Sequence, residues 1–164
     1  FSRIALHAEI MKKAIYLLLF FIWAIPSSFA QLKTYSFEEV EQLSKENPKP
    51  IVVFIHTNWC KYCKMMENTT FKDPKITAAL NENFYFISFD AESKKEIIFN
   101  NHKFQFRPNG TNTGIHELAT ALATTENQIV YPTLTILAAD NSILFQQASF
   151  ISAKALWRIL DKLK

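Results

Sequence analysis

The chain has 164 residues, of which 49% are hydrophobic and 20% are charged, and it contains two glycines and two cysteines. This length corresponds to one domain rather than two. Globular chains average about 7% glycine, so two glycines leave no room for a glycine-rich dinucleotide fingerprint or a P-loop. The formal net charge of +3 falls to +1 beyond residue 30, where 15 basic residues face 14 acidic ones. We therefore expect no nucleic-acid partner.

The N-terminal segment has the pattern of a signal peptide. We take residues 1–10 as upstream sequence and Met11 as the natural start. Two lysines follow, then the apolar run Ala14–Ile25, and small residues at the cleavage positions that end at Ala30. A membrane-spanning helix needs about 20 apolar residues, so we expect cleavage after Ala30, a periplasmic or secreted domain at 31–164, and no membrane attachment after cleavage. An uncleaved anchor or a buried N-terminal helix is the alternative.

The first elements of this domain are predicted to be a helix and a buried strand. Ser36 and Glu39 have the spacing of a capping box, which predicts a helix over about 37–46. The sequence Asn-Pro-Lys-Pro then ends this helix, because proline cannot continue it. Ile51–Ile55 is apolar at every position, which is typical of a central strand covered on both faces.

A Cys-x-x-Cys pair, Cys60 and Cys63, stands between this strand and a helix predicted to end near Asn68. Two cysteines this close form a ring too small to stabilise a fold, so we expect a chemical role. A helix N-terminus favours an anion, and Lys61 and His56 are candidates for tuning the thiol pKa further. We therefore expect Cys60 to be the nucleophile and Cys63, one turn further on, to be the less exposed resolving thiol.

The remaining elements alternate between helices and strands. They are predicted as a helix capped by Asp73, a strand at Phe84–Phe89, a short helix near 94–101, a polar loop holding both glycines, a helix near 115–125, strands at Thr133–Ala138 and Ser142–Phe150, and a closing helix capped by Ser152. This order predicts an α/β sandwich around a mixed sheet. The long connection at 91–130 is expected to shape the rim around Cys60.

Two motifs identify a family resemblance. The sequence Trp59-Cys60-Lys61-Tyr62-Cys63-Lys64, with Tyr131-Pro132-Thr133 opening a later strand, resembles the thioredoxin superfamily. The stretch Thr70-Phe71-Lys72-Asp73-Pro74 resembles the periplasmic C-terminal domain of the DsbD thiol:disulfide interchange reductase. The resemblance covers residues 36–163 and implies a thioredoxin fold, in which helices flank a mixed central sheet. Here that fold would carry an enlarged helical connection before the strand that follows the cis-proline.

The resemblance also implies roles for single residues. Cys60 is the nucleophile, Cys63 is the resolving thiol, and Trp59 is an aromatic wall. Pro132 is the cis-proline that faces the disulfide. The backbone of Tyr131 pairs with an extended substrate segment, a form of strand addition.

The chain departs from the thioredoxin pattern beneath the cysteines. Phe54 and Phe86 occupy the positions at which thioredoxins carry a buried carboxylate and a lysine. An apolar floor cannot relay a proton to or from Cys63, which leaves water, Glu67 or His56 for that role. Burial in such surroundings is also expected to raise the pKa of the Cys63 thiol.

We expect an exported thiol-disulfide oxidoreductase on the reductase or isomerase side. It is expected to be a monomer without cofactor or metal, with protein disulfides as substrates and a thiol-disulfide electron donor. One alternative is a metal-binding or metal-delivery module that uses Cys60, Cys63 and His56. Another is a redox-inactive thioredoxin-like binding domain that recruits a partner through the segment 91–130.

Overall fold

The computed structural model describes residues 12–13 and 31–164. Most of the predicted signal peptide, including its apolar run, lies outside the described residues. Five α-helices lie between residues 31 and 164: α1 (Phe37–Glu46), α2 (Lys61–Asn68), α3 (Pro74–Asn83), α4 (Glu117–Ala123) and α5 (Ala153–Leu163). In the described part of the chain, none of the helices has the length and apolar character needed to cross a membrane.

The same part of the chain contains ten strands. They are β1 (Ile51–His56), β2 (Tyr85–Asp90), β3 (Ile97–Phe99), β4 (His102–Phe104), β5 (Phe106–Pro108), β6 (Gly114–His116), β7 (Thr124–Thr125), β8 (Gln128–Ile129), β9 (Thr133–Leu137) and β10 (Ile143–Gln147). Four of them form the central sheet, in the order β10-β9-β1-β2. β1 pairs with β2 in parallel, whereas β9 is antiparallel to both β1 and β10. The predicted mixed sheet is confirmed.

The residues of β1 are buried on both faces of the sheet, as their apolar run predicts. Successive strand residues point to opposite faces, so Val52 and Phe54 belong to one hydrophobic cluster and Val53 and Ile55 to the other. Helices α1 and α4 cover the face of Val53 and Ile55. Helices α2, α3 and α5 cover the face of Val52 and Phe54. The sheet is therefore the middle layer of a three-layer sandwich.

The helices begin at the capping residues that the sequence predicts. Ser36 Oγ accepts a hydrogen bond from the Glu39 amide at 3.2 Å, and the Glu39 carboxylate accepts one from the Ser36 amide at 2.7 Å. Asp73 Oδ1 accepts from the amide of Ile76 at 3.2 Å, with proline at the first helical position of α3. Ser152 caps α5 in the same way. These bonds satisfy amides that have no partner within the helix.

The segment 91–130 differs from the prediction. The short helix predicted near 94–101 is wrong, because β3 and β4 form a hairpin there. Asn100 and Asn101 both have positive φ, 53° and 57°, a conformation that asparagine tolerates and that suits a tight hairpin turn. The predicted helix near 115–125 is present as the shorter α4. One of the two glycines, Gly114, lies in β6 rather than in a loop, and a Cβ there would collide with the Phe106 ring.

Candidate active site

The two cysteines lie where β1 passes into α2. Cys60 is the N-cap of the helix, and its Sγ accepts a hydrogen bond from the Cys63 amide at 3.1 Å. The two sulfurs are joined in a disulfide bond. Cys60 is 5% exposed and Cys63 is fully buried, so the difference in exposure that the sequence predicts is present. The leading sulfur therefore occupies the helix end at which backbone amides and the helix dipole stabilise negative charge.

A second loop reaches the cysteines through the pairing of β1 with β9. Ile55, near the end of β1, is opposite Thr133, the first residue of β9. The residues just before β9 therefore lie beside the loop that follows β1. The Tyr131–Pro132 peptide bond in this second loop is cis, as the resemblance implies, and Pro132 is buried. The Tyr131 side chain packs against the cluster that contains both cysteines.

Two exposed aromatic side chains stand next to the cysteines in the chain. Trp59 is 66% exposed and Tyr62 is 61% exposed, although both rings are largely apolar. The Trp59 ring meets the Tyr131 ring edge to face, with centroids 5.9 Å apart. An exposed apolar surface of this kind commonly marks a binding site. It lies beside the Cys60 sulfur, which is the more exposed of the two.

Tyr131 has an unusual phenol. Burial, together with the negative charges of Glu92 and Asp90, raises its pKa to about 12. Its hydroxyl is buried without a hydrogen-bond partner. The phenol therefore stays neutral over the whole physiological range, and it adds an uncharged, mostly apolar surface to the site.

His56 is the last residue of β1 and lies half-buried on the face that α2 covers. Its Nε2 is 3.1 Å from Ser88 Oγ, whereas its Nδ1 is buried without a partner. Burial lowers the pKa of His56, and nearby Glu67 and Asp90 oppose this effect. The imidazole is therefore held in its neutral form near neutral pH, in which one ring nitrogen accepts a proton.

The floor beneath the cysteines is apolar, as the sequence predicts. The ring of Phe71 lies between those of Phe54 and Phe86, with centroid distances of 4.8 and 4.9 Å. A cavity of about 550 Å³ opens beside this floor, and its polar lining includes Glu67 and Ser88. Ser88 lines this cavity and also contacts His56, and Glu67 lines the same cavity from α2.

The other candidate residues have separate positions. Lys61 is the first residue of α2 and its side chain is exposed. Glu67 pairs with Lys64 at 2.8 Å. Within residues 12–13 and 31–164, no group of three or more His, Cys, Asp or Glu side chains is arranged to hold a metal ion. Cys60, Cys63 and His56, the ligands of the metal-binding alternative, do not form such a group in this disulfide-bonded structure.

Sequence reasoning missed two residues at the site, Asp90 and Glu92. The Asn58 side-chain amide donates to Asp90 Oδ2 at 3.3 Å, and Trp59 Nε1 donates to Glu92 Oε1 at 3.1 Å. A signal for them was available, since Asp90 is the last residue of β2 and Glu92 lies in the turn that follows it. The carboxyl ends of neighbouring parallel strands meet at one edge of a sheet, and β2 is the parallel neighbour of β1.

The fold and the paired cysteines agree with comparisons with known proteins. A family model described as a thioredoxin-like domain matches residues 37–164. The chain belongs to this thioredoxin-like family. The predicted resemblance is thereby confirmed, and so is the predicted α/β thioredoxin fold.

Curated relatives of this thioredoxin-like chain match it over shorter stretches. It is 33% identical over 64 residues to the thiol:disulfide interchange protein DsbD of Campylobacter jejuni, which covers 38% of this chain and 11% of that protein. It is 35% identical over 60 residues to spermatogenesis-associated protein 20 of Mus musculus, which covers 37% of this chain and 8% of that protein. The match thus spans a small part of each relative.

Solved structures match the thioredoxin-like domain more fully. DsbH oxidoreductase superposes with a TM-score of 0.59 at 21% identity, over 84% of this chain and 88% of that chain. The C-terminal domain of Neisseria meningitidis DsbD in its reduced form superposes with a TM-score of 0.50 at 19% identity, over 77% of this chain and 92% of that chain. Both comparisons support the fold.

Proposed function

We propose that this thioredoxin-like chain is an exported thiol-disulfide oxidoreductase that reduces or isomerises protein disulfides. The observation that carries the proposal is the Cys60–Cys63 disulfide at the N-terminus of α2, in which Cys60 is 5% exposed and Cys63 is fully buried. The relatives named as thiol:disulfide interchange proteins support the same class of reaction. Protein disulfides and a thiol-disulfide electron donor are the proposed partners.

The proposed reduction begins from the dithiol form. The Cys60 thiolate attacks one sulfur of the substrate disulfide, which forms a mixed disulfide and releases the first substrate thiolate. Cys63 then loses its proton and attacks the Cys60 sulfur. This step forms the Cys60–Cys63 disulfide, and the second substrate thiolate leaves and takes up a proton. Two electrons pass from the protein to the substrate, and a thiol donor returns them.

We propose that His56 accepts the proton that Cys63 loses. Phe54 stands in place of a carboxylate, and His56 is two residues further along the same face of β1. Helix α2 covers this face and carries Cys63 four residues before Glu67, so the two side chains share one side of the helix. The unpartnered Nδ1 is the free acceptor, and Ser88 and Glu67 connect the imidazole with the open cavity.

The aromatic surface is the proposed place for the substrate. Trp59 and Tyr62 flank Cys60 on the exposed side, and we propose that Trp59 packs against the segment that carries the substrate disulfide. The backbone of Tyr131, held before the cis bond to Pro132, is proposed to pair with that segment as an added strand. Lys61 is proposed to lower the pKa of the Cys60 thiol through its charge.

Cysteine variants test the reaction. We expect Cys60→Ser to abolish the reduction of insulin disulfides by the protein with dithiothreitol as donor. Cys63→Ser keeps the attacking sulfur but not the resolving one, so we expect it to accumulate mixed disulfides. Ser149→Ala, at an exposed position far along the chain from the cysteines, is the control. Full activity in both cysteine variants would contradict the proposal.

The direction of electron flow needs a separate measurement. We expect the Cys60–Cys63 pair to be reducing, with a potential in the range of thioredoxins, about −270 mV. Equilibration with glutathione redox buffers, followed by alkylation of the free thiols, measures this potential. A strongly oxidising value, near the −120 mV order of dedicated oxidants, would overturn the reductase assignment but not the oxidoreductase class.

We propose that export depends on the segment that starts at Met11 and ends at Ala30. Expression in a bacterium with a periplasm, followed by fractionation and N-terminal sequencing, tests this. We expect a periplasmic product that begins at Gln31. A product that retains Ala14–Ile25, or that stays in the cytoplasm, would contradict the proposal.

A further inference from the structure

The end of β2 and the turn after it hold the loop that precedes Cys60. Asp90 accepts a hydrogen bond from Asn58, and Glu92 accepts one from the indole Nε1 of Trp59 at 3.1 Å. The two residues before the nucleophile are therefore both fixed by side chains, Asn58 by the last residue of β2 and Trp59 by a residue of the turn that follows it. A hydrogen bond to a carboxylate is stronger than one between neutral groups.

Trp59 depends on this bond because little else surrounds it. The ring is 66% exposed, and it meets the Tyr131 ring edge to face, with centroids 5.9 Å apart. A large exposed side chain samples several rotamers unless a specific contact selects one. The bond to Glu92 selects the rotamer in which the indole stands against Tyr131.

Backbone hydrogen bonds to β1 and β6 hold the turn that carries Glu92, at the start of the long segment 91–130. The Glu92 amide donates to Asp90 Oδ1 at 3.0 Å. The Ala91 amide donates to the carbonyl of His56, and the His116 amide donates to the carbonyl of Ala91, both at 2.8 Å. The turn is thus hydrogen-bonded both to β1 and to β6. Because β6 belongs to the long segment, that segment helps to determine where the Glu92 carboxylate lies.

We infer that Glu92 is a positioning residue that holds Trp59 against Tyr131, so that a protein substrate meets a preformed aromatic surface beside Cys60. This inference rests on the proposed function. A preformed surface spares the substrate the entropy of ordering the indole. The role concerns large substrates, because a small disulfide reaches the sulfur without contacting the indole face.

Three variants separate positioning from charge. Glu92→Ala removes the acceptor, Glu92→Gln keeps an acceptor oxygen without the charge, and Trp59→Ala removes the ring. We expect Glu92→Ala to raise KM for insulin about fivefold, the factor that corresponds to one hydrogen bond of typical net strength. The value of kcat and the rate with a small aliphatic disulfide should be unchanged. Glu92→Gln should have a KM close to that of the wild type.

The double variant makes the test specific. In the Trp59→Ala background, Glu92→Ala should have no further effect on KM, because the ring that it positions is gone. An unchanged KM in Glu92→Ala would overturn the inference. The inference would also be overturned if Glu92→Ala raised KM equally in the wild type and in the Trp59→Ala background. A Glu92→Gln variant with a KM as high as that of Glu92→Ala would overturn it as well.

A second measurement does not depend on catalysis. Hydrogen exchange of the Trp59 indole N–H, followed by NMR, should be faster in Glu92→Ala than in the wild type and nearly unchanged in Glu92→Gln. Unchanged exchange in Glu92→Ala would overturn the positioning role even in an active enzyme. If the wild type fails to reduce insulin while indole protection follows Glu92 as expected, the proposed function is at fault and the positioning role stands.

Discussion

Phe54 and His56 stack on each other, with ring centroids 5.3 Å apart and ring planes 25° from parallel. The phenylalanine takes the position of a buried carboxylate in thioredoxins, and the histidine next to it carries a buried nitrogen without a partner. In the proposed mechanism, the group that exchanges protons therefore lies two residues further along the same face of the strand. This displacement leads to the first prediction.

His56→Phe should slow the resolution of the mixed disulfide by a factor on the order of 100, the lower range of general base catalysis. The substitution keeps a ring that packs on Phe54 but removes the proton-accepting nitrogen. Alkylation of Cys60 should proceed at the wild-type rate, since the helix end is unchanged. Rapid-quench analysis of the mixed disulfide measures the step, with the exposed His102→Phe as control. A wild-type rate of resolution would exclude His56 as the proton acceptor.

Stability should fall as the pH drops below about 6.5, because two histidines are held neutral in the folded protein. Burial lowers the pKa of both His56 and His116. When the pKa of a histidine is lower in the folded state than in the unfolded state, its contribution to stability is fully present at pH values above the unfolded-state pKa of 6.5. This contribution is lost as the pH falls through the folded-state pKa. Lowered carboxylate pKa values, such as that of Glu39, act in a separate window below 4.5.

His116→Asn should flatten the dependence of stability on pH in the histidine window. In the wild type, His116 Nδ1 accepts from the Leu118 amide at 3.2 Å, and Nε2 lies 3.0 Å from the Lys95 carbonyl oxygen. Protonation of Nδ1 would break the first bond. Asparagine can also cap a helix but does not titrate. Urea unfolding at several pH values measures the effect, and an unchanged slope in this variant would show that His116 does not contribute to it.

Met66→Ala should lower the free energy of unfolding by about 2–5 kcal/mol. Met66 is fully buried beneath the cysteine pair, so its removal leaves a cavity. Its neighbour Met65 is 41% exposed and provides the matched control, for which we expect a change within about 0.5 kcal/mol. Chemical denaturation of both variants in the oxidised form makes the comparison. Similar losses in the two variants would contradict the packing described for α2.

Tyr131→Phe should leave stability unchanged or raise it by up to about 1 kcal/mol, since the hydroxyl that it removes is buried without a partner. Tyr85→Phe is the opposite case, because the Tyr85 hydroxyl donates to the Asn47 carbonyl at 2.8 Å. We expect that variant to lose about 1 kcal/mol. A spectroscopic titration of the phenols should also lose its latest phase, near pH 12, in Tyr131→Phe. A loss of stability in Tyr131→Phe would contradict the unpartnered hydroxyl.

The sequence predicted those features that depend on short stretches of chain. The capping pair Ser36 and Glu39, the buried strand at Ile51–Ile55, and the cysteines at its end all follow from local patterns. The helix predicted near 94–101 failed because its apolar residues, Ile97, Ile98 and Phe99, form a short run that fits a strand as well as a helix. The two asparagines after them favour a hairpin turn.

Local sequence patterns do not predict the contacts that organise the site. Glu92 and Trp59 are 33 positions apart in the chain, and they meet only because β1 and β2 pair in parallel with His56 opposite Asp90. Likewise, His56 reaches Ser88 across the same pair of strands. Pairing partners of this kind depend on the register of the sheet, which residue types alone do not specify.

Cys60 Sγ is both the proposed reacting atom and the acceptor that caps the first turn of α2. A charged acceptor at that position binds the amide more strongly than an uncharged one. We therefore expect the hydrogen bond from the Cys63 amide to be stronger when Cys60 is a thiolate than when it is part of the disulfide. The Cys63 amide is thus the backbone group at which reduction of the pair should change the strength of a helix-capping hydrogen bond.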